Sequence, residues 1–179
     1  MTTLLPAEDR CSQTSLWATV SVRRHHRPRS RARVKDMPAL PGYKIIGVLG
    51  RGGMATVYQA RQRCPKRLVA VKMVDPRLAG YEEVVARFRQ EQVLGGRLRH
   101  PNLSAVYQAG DAAGCPYLVM EFVEGDNLEA FVGRYGPLPV AEACEVIRQA
   151  ALGLQHLHEQ GLVHRDVKPS NLMLTPSGR

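Results

Sequence analysis

The first residues that suggest chemistry form a glycine-rich segment between two apolar runs. Glycine lets a hairpin backbone approach an anion closely and present N–H donors without side-chain bulk, so such a segment can cover a phosphate. The segment follows the pattern G-x-G-x-x-G-x-V, with alanine at the third glycine position. It consists of Leu49, Gly50, Arg51, Gly52, Gly53, Met54, Ala55, Thr56 and Val57. A glycine-rich hairpin that binds no ligand would read the same way, so this segment alone does not decide the function.

A lysine closes an apolar run further along the chain. In an alternating strand Lys72 lies on the same face as Ala70, two positions earlier. A lysine at the end of an apolar strand is usually just solvated. A glutamate that pairs with it would instead hold the ammonium towards a phosphate. Glu82, Glu83 and Glu91 all follow in a predicted helix and compete for that role.

The third pattern is the most specific. Residues 164–171 read His-Arg-Asp-Val-Lys-Pro-Ser-Asn and match the pattern H-R-D-L-x-x-x-N with valine for leucine. The glycine-rich segment, Lys72, a helix glutamate and this loop follow one another in order over residues 43–174. On these motifs the chain resembles protein kinases. A Gly-Gly-Met sequence in the first segment and His-Pro-Asn at residues 100–102 look most like bacterial serine/threonine kinases.

This resemblance implies a role for each polar residue. Asp166 handles the proton of the substrate hydroxyl, Lys168 steadies the transferred phosphate, and Asn171 binds a magnesium ion. Lys168 also favours serine and threonine over tyrosine as the acceptor. Lys72 meets the phosphates of ATP, and Glu91 is the expected ion-pair partner because its spacing to the His-Pro-Asn turn is that of the family.

The resemblance also implies an ATP site between two lobes. The glycine-rich segment covers the phosphates, and apolar side chains enclose the adenine from above and below. A gatekeeper, a hinge whose backbone pairs with adenine and a ribose contact complete the site. The residues concerned are Val57 and Ala70 above the ring, Met173 below it, Met120 as gatekeeper, Glu121 to Val123 as hinge, and Asp126 at the ribose.

The elements that must position these residues are short apolar runs followed by helical patterns. The runs predict strands at Tyr43–Leu49, Thr56–Arg61, Leu68–Val74, Ser104–Gln108 and Tyr117–Phe122. Spacings of three and four predict helices at Tyr81–Leu98 and Ala143–His158, the second stopped by Gly161. We expect an α+β, protein-kinase-like fold. Its small lobe has five antiparallel strands and one helix, and the first helices and catalytic loop of an incomplete helical large lobe follow.

Two features of the predicted helices suggest weak packing. Gly95 and Gly96 follow Glu91, and a glycine inside a helix costs about 1 kcal/mol relative to alanine. The family usually has a bulky apolar residue at position 95, so we expect looser packing around Glu91. In the second helix we expect Leu154 and Leu157 to be exposed, because the helices that normally cover them are not in this sequence.

The charge of the chain is concentrated at its beginning. Residues 1–36 hold eight basic and three acidic residues and so account for +5 of the net charge of +9. We predict a disordered, solvated segment there and expect no specific nucleic-acid partner. No apolar run approaches the roughly 18–20 residues needed to span a bilayer. Cys11, Cys64, Cys115 and Cys144 are scattered, which favours neither a zinc site nor disulfides and suits the cytoplasm.

These observations predict a basic segment at 1–36 and a partial kinase domain at 43–179. Within that domain, 43–123 form the small lobe and hinge, and 124–179 begin the large lobe. The expected function is that of a serine/threonine protein kinase, with ATP and Mg²⁺ as cofactors and a protein as substrate. The sequence ends before an Asp-Phe-Gly motif, so we expect the fragment to be inactive alone. A non-catalytic nucleotide-binding or interaction module is the alternative, whereas Arg165 and Lys168 count against a small-molecule phosphotransferase.

Overall fold

The computed structural model describes residues 38–96 and 98–175, apart from the side chains at positions 91 and 93–95. The basic segment predicted at residues 1–36, including Cys11, therefore lies outside the described residues. None of the helices within the described ranges combines the length and the apolar character that crossing a bilayer requires.

The described residues form an antiparallel sheet with one inserted helix, followed by a mainly helical part, which confirms the predicted fold class. Single-turn 3₁₀ helices at Pro76–Leu78 and Pro169–Asn171 complete the order of elements. In chain order the elements are β1 (Tyr43–Arg51), β2 (Ala55–Gln62), β3 (Arg67–Val74), α1 (Glu82–Gly95), β4 (Val106–Ala112), β5 (Cys115–Glu121), β6 (Asp126–Asn127), α2 (Leu128–Tyr135), α3 (Val140–Glu159) and β7 (Met173–Leu174).

Strand β3 lies at the centre of the five-stranded sheet, whose order is β1-β2-β3-β5-β4. Val69 and Val71 enter the hydrophobic cluster on one face, while Ala70 and Val74 enter the cluster on the other. All four side chains are almost completely buried. A strand covered on both faces explains why this run is apolar at nearly every position instead of alternating.

Helix α1 packs on the sheet through Phe88, which is buried in the cluster that contains Ala70. We predicted a longer helix, Tyr81–Leu98, with Gly95 and Gly96 in its interior. The helix instead ends at Gly95, and Gly96 donates its N–H to the carbonyl of Gln92. The two glycines therefore end the helix, where their conformational freedom is least costly.

Strand β4 differs most from its predicted bounds. It begins at Val106 because the residues before it are held in a turn, where the Ala105 N–H donates to the Glu121 carboxylate at 3.2 Å. It continues to Ala112 because a tight turn joins it to β5, with Ala113 and Gly114 at φ of 53° and 79°. A local sequence pattern cannot predict the hydrogen bond between Ala105 and Glu121, because Glu121 belongs to another strand, β5.

Helix α3 is longer than the predicted Ala143–His158, and its exposed face is a different one. Leu157 is only 1% exposed and Leu154 is half-buried, so the expectation that both are exposed was wrong. Val140, Ile147 and Leu152 are large apolar residues of this helix that face solvent, at 80%, 57% and 40%. Gly161 follows the helix at φ 73°, as expected of a helix stop.

Replacing Ile147 with lysine should reduce self-association of the chain while leaving its melting temperature nearly unchanged. An exposed apolar side chain promotes association, and a surface substitution usually changes stability by less than about 0.5 kcal/mol. Leu157→Ala is the matched control in the same helix and should cost about 2–5 kcal/mol, since it opens a cavity. Light scattering and thermal unfolding measure the two effects. A large loss of melting temperature in Ile147→Lys would contradict the exposure of this face.

Candidate active site

The segment of residues 164–171 folds into a loop that brings two predicted polar residues, Lys168 and Asn171, to the carboxylate of a third, Asp166. The Oδ2 atom of Asp166 lies 2.9 Å from Lys168 Nζ and accepts a hydrogen bond of 2.9 Å from Asn171 Nδ2. The same amide nitrogen donates to the Asp166 carbonyl at 2.8 Å. The 3₁₀ turn Pro169–Asn171 makes this possible, because it brings Asn171 back to the start of the loop.

The backbone at the start of this loop is strained. Arg165 has φ 62°, a left-handed conformation that costs a residue with a side chain roughly 1–2 kcal/mol. His164 compensates locally: it is buried, and its Nδ1 accepts the N–H of Asp166 at 3.2 Å. Burial lowers the pKa of His164 because the charged imidazolium would lose its hydration, although Asp166 acts in the opposite direction. His164 thus serves as a neutral hydrogen-bond acceptor that shapes the loop.

The two carboxylate oxygens of Asp166 differ in their contacts, because Lys168 and Asn171 both bind Oδ2. The hydrogen bond from Lys168 is the main cause that lowers the pKa of Asp166, and it outweighs the opposing effect of burial. Asn171 adds to the lowering, so the group is a carboxylate at neutral pH. Among the described residues, no donor contacts its Oδ1 atom, and the side chain is 23% exposed. This geometry leaves an oriented acceptor for the proton of a hydroxyl.

Lys72 lies on the same sheet face as Ala70, as predicted. In the strand register it stands between Val57 of β2 and Leu118 of β5. Its Nζ atom is 5.7 Å from the centre of the Phe88 ring on α1. Glu91 belongs to the same helix, but its side chain lies outside the described residues. The ion pair between Lys72 and Glu91 therefore stays a prediction.

The apolar residues predicted to enclose adenine meet in one cluster. Ala70 and Met120 are buried in it, and Leu49, Val57 and Met173 pack against it from the side. Met173 arrives from the two-stranded ribbon of β6 and β7, far along the chain from the others. The structure thus brings both halves of the predicted slot together.

The predicted hinge is partly engaged in internal hydrogen bonds. The N–H of Glu121 donates to the Ala105 carbonyl at 2.8 Å, and the Glu121 carboxylate accepts the Ala105 N–H. Neither backbone group of Val123 makes a hydrogen bond to a described residue. The backbone N–H and carbonyl of Val123 are consequently available to pair with a ligand.

The predicted ribose contact is less accessible than expected. Asp126 Oδ2 pairs with Arg134 Nη1 at 2.9 Å, and its Oδ1 is enclosed by protein without a hydrogen-bond partner among the described residues. A ribose hydroxyl could reach this carboxylate only after the side chain turns. The preceding Gly125 is required by the fold, because a Cβ there would collide with the Leu174 carbonyl.

The glycine-rich segment forms the turn between β1 and β2, closed by a 2.9 Å hydrogen bond from the Gly52 N–H to the Ala55 carbonyl. The methyl group of Ala55 points into the hydrophobic cluster, which explains how alanine replaces the third glycine. A Cβ added at Gly53 would meet nothing within 4 Å, and one at Gly52 would make only ordinary contact. Internal packing therefore requires neither glycine.

A cavity of about 340 Å³ lies beside this site, between α3, the His-Pro-Asn turn and the catalytic loop. It shares Glu121, Val123, Asn171 and Met173 with the predicted site. No group of three or more His, Cys, Asp or Glu side chains within the described ranges is arranged to hold a metal ion.

Sequence reasoning missed two sets of contacts that support the site. His100 stacks on His156 of α3 at 5.2 Å between ring centres, and Asn102 donates to Gln149 of α3 at 3.1 Å. Gln92 of α1 donates to carbonyls of β4 and β5. In the sequence, the His-Pro-Asn motif supports the family resemblance but does not predict contacts with α3. No local signal distinguishes Gln92 from an exposed glutamine.

Replacing Lys168 with methionine should raise the pKa of Asp166 towards its ordinary value, because it removes the main cause of the lowering. A depressed carboxyl pKa contributes stability above the unfolded pKa and loses it as pH falls through the folded value. The stability difference between the wild type and Lys168→Met should therefore shrink on acidification through that window. Carboxyl ¹³C shifts and urea unfolding at several pH values measure both effects. An equal rise in the exposed control Lys66→Met would show a general charge effect instead.

Known proteins resemble this chain in sequence. A family model described as protein kinase domain matches residues 43–179. The serine/threonine-protein kinase PknB of Mycobacterium tuberculosis (strain ATCC 25177 / H37Ra) is 42% identical over 137 residues, which cover 74% of this chain and 22% of that protein. PrkC of Bacillus subtilis (strain 168), also a serine/threonine-protein kinase, is 38% identical over 136 residues, covering 76% and 21%.

A solved structure gives the same result. The crystal structure of the M. tuberculosis PknI kinase domain aligns with a TM-score of 0.65 at 31% identity, covering 75% of this chain and 55% of that one. The chain spans about a fifth of the length of the curated relatives it matches. Because the family model covers most of the chain and all of the site described above, this chain belongs to the protein kinase domain family.

Proposed function

We propose that this chain supplies the ATP-binding lobe and catalytic loop of a serine/threonine protein kinase, which transfers the γ-phosphate of ATP to protein hydroxyls. The observation that carries the proposal is the Asp166 carboxylate, with Oδ2 held by Lys168 and Asn171 and Oδ1 open. The names of its relatives support serine and threonine as acceptors. Partners are accordingly ATP and a protein substrate, and free thiols together with a need for ATP favour the cytoplasm.

In this proposal Asp166 accepts a hydrogen bond from the substrate hydroxyl at Oδ1 and orients it. It takes the proton as the hydroxyl oxygen bonds to the γ-phosphorus and the bond from that phosphorus to the oxygen of the departing ADP breaks. Lys168 lies 2.9 Å from the other oxygen, where its charge can also steady the phosphate being transferred. Asn171 uses its amide nitrogen towards Asp166 and so has its amide oxygen to offer a cation.

The residues fit ATP and Mg²⁺. Carbonyl oxygen suits Mg²⁺, which usually takes one or two protein ligands and completes its shell with phosphates and water. The ion would neutralise charge on the phosphates when bound. Lys72 would contact the same phosphates, and the glycine-rich turn would cover them, since neither Gly52 nor Gly53 is needed for packing.

The adenine would enter the apolar slot with Val57 and Ala70 above it and Met173 below it. Met120 would limit the depth of the slot, and the free backbone groups of Val123 would pair with the ring edge. Burial of an aromatic base in an apolar slot with a few directed hydrogen bonds is typical of nucleotide sites. We retain 43–123 as the small lobe with its hinge and 124–179 as the beginning of the large lobe.

A nucleotide-binding module without transfer is the second candidate. Its support is that, among residues 38–96 and 98–175, Asn171 is the single metal ligand that we assign. Separate measurements of nucleotide affinity and of turnover distinguish the two candidates. Phosphoryl transfer requires Asp166, whereas nucleotide binding without transfer does not.

Asp166→Asn should lower turnover about 10²–10⁴-fold and change ATP affinity little, because the group acts mainly in the transition state. The assay uses residues 38–175 joined to the remainder of a related bacterial kinase domain, with a serine-containing peptide as substrate. Asp111→Asn is the matched control at the exposed end of β4, where an amide oxygen can still accept the Gly114 N–H. Full turnover in Asp166→Asn would exclude the proposed role.

Gly52→Ala should weaken Mg·ATP binding by about three- to tenfold, the equivalent of roughly 1 kcal/mol, because a methyl group hinders close approach of the phosphates. Its melting temperature should not fall, since the added Cβ meets only ordinary contact. Gly47→Ala in β1 is the control, as its Cβ also enters open space. Calorimetric titration with Mg·ATP measures the difference, and equal affinity in both variants would remove the phosphate role from this turn.

A further inference from the structure

The side-chain amide of Gln92 joins helix α1 to the sheet. Gln92 Nε2 donates to the Tyr117 carbonyl at 2.8 Å and to the Gly110 carbonyl at 3.2 Å. Gly110 of β4 and Tyr117 of β5 are direct partners in the strand register. A single amide nitrogen therefore attaches the helix to two adjacent strands at one level.

The two strands that Gln92 contacts are tightly packed at this level. A Cβ at Gly110 would come within 2.6 Å of the Tyr117 hydroxyl, so only glycine lets the tyrosine ring lie across β4 at this level. Tyr117 is itself buried, in the cluster on the far face of the sheet. The two carbonyls thus belong to a region whose backbone has little room to shift.

Helix α1 also makes an apolar contact with the sheet. Phe88 lies four residues before Gln92, hence on the same helical face, and is buried in the cluster that includes Ala70 and Leu118. Apolar burial is not directional, so it permits a helix to slide and rotate, whereas hydrogen bonds fix angle and distance. Gln92 also lies one turn from the glycines that end the helix.

We infer that Gln92 is a positioning residue for phosphoryl transfer, fixing the rotation and height of α1 on the sheet and with it the approach of position 91 to Lys72. The inference rests on the proposed function. Positions 88, 91 and 92 share one face of an α-helix, so a rotation about Phe88 displaces residue 91 directly. Gln92 itself reaches backbone carbonyls and acts only through the helix.

This anchor also changes the expectation drawn from Gly95 and Gly96. A bulky side chain at position 95 would fix the end of the helix by packing. Here the last turn is fixed by hydrogen bonds from Gln92, three residues earlier. The helix can therefore keep one orientation although its final residues are small.

The test compares Gln92→Met with Gln90→Met in the full chain. Methionine keeps the length of glutamine and removes its donors, and Gln90 is an exposed glutamine on the same helix. We expect Gln92→Met to weaken Mg·ATP binding about fivefold, as for the loss of a hydrogen-bonded contact, and Gln90→Met to leave it unchanged. Equal affinities in the two variants would overturn the inference.

Coupling to Lys72 distinguishes positioning from general loosening. If Gln92 acts through the approach of α1 to Lys72, the fivefold loss should disappear when both variants are made in a Lys72→Met background. A loss of the same size in that background would show that Gln92 only stabilises the lobe, and would overturn the positioning role.

Hydrogen exchange separates this inference from the proposed function. If the wild-type chain does not bind Mg·ATP, the proposed function fails, and the anchoring is judged from the amides of residues 82–95. Faster exchange in Gln92→Met than in Gln90→Met then supports the anchor, and equal exchange overturns it.

Discussion

Burial of β3 on both faces is the constraint on which the rest of the structure depends. The strand pairs with β2 on one side and β5 on the other, and its side chains supply both hydrophobic clusters. Phe88 of α1 packs in the hydrophobic cluster on one face of the sheet, and Tyr117 lies in the cluster on the other face. Lys72 is carried on this strand, between β2 and β5, so the position of its ammonium depends on a strand that is packed on both faces.

The catalytic loop, by contrast, is held in place by polar contacts and not by apolar burial. Arg165 adopts a conformation that opposes folding, and the hydrogen bonds of His164 and Asn171 offset that cost. A further hydrogen bond from Asn171 Nδ2 holds the Asp166 carboxylate. Strain at a functional loop that is over-determined by its neighbours is a recurrent feature of active sites.

Contacts between the two parts of the chain include apolar packing, ring stacking and a side-chain hydrogen bond. Met173 joins the cluster beneath the sheet, and the turn at His100 and Asn102 docks on α3 through ring stacking and an amide hydrogen bond. Gly153 allows this docking, because a Cβ there would lie 3.1 Å from the Asn102 carbonyl. The orientation of the nucleotide slot therefore depends on residues that lie outside it.

The sequence by itself determined the five strands, the inserted helix, the stop at Gly161 and the family motifs, because these follow from local periodicity, glycine conformation and residue spacing. It could not determine where β4 begins, which face of α3 is exposed or why Ala55 is tolerated, since each depends on a residue distant in the chain. The same holds for Asp166, whose spacing to Lys168 and Asn171 was visible but whose single open oxygen was not. Only the tertiary structure decided these points, because hydrogen bonds and burial join residues that no local pattern relates.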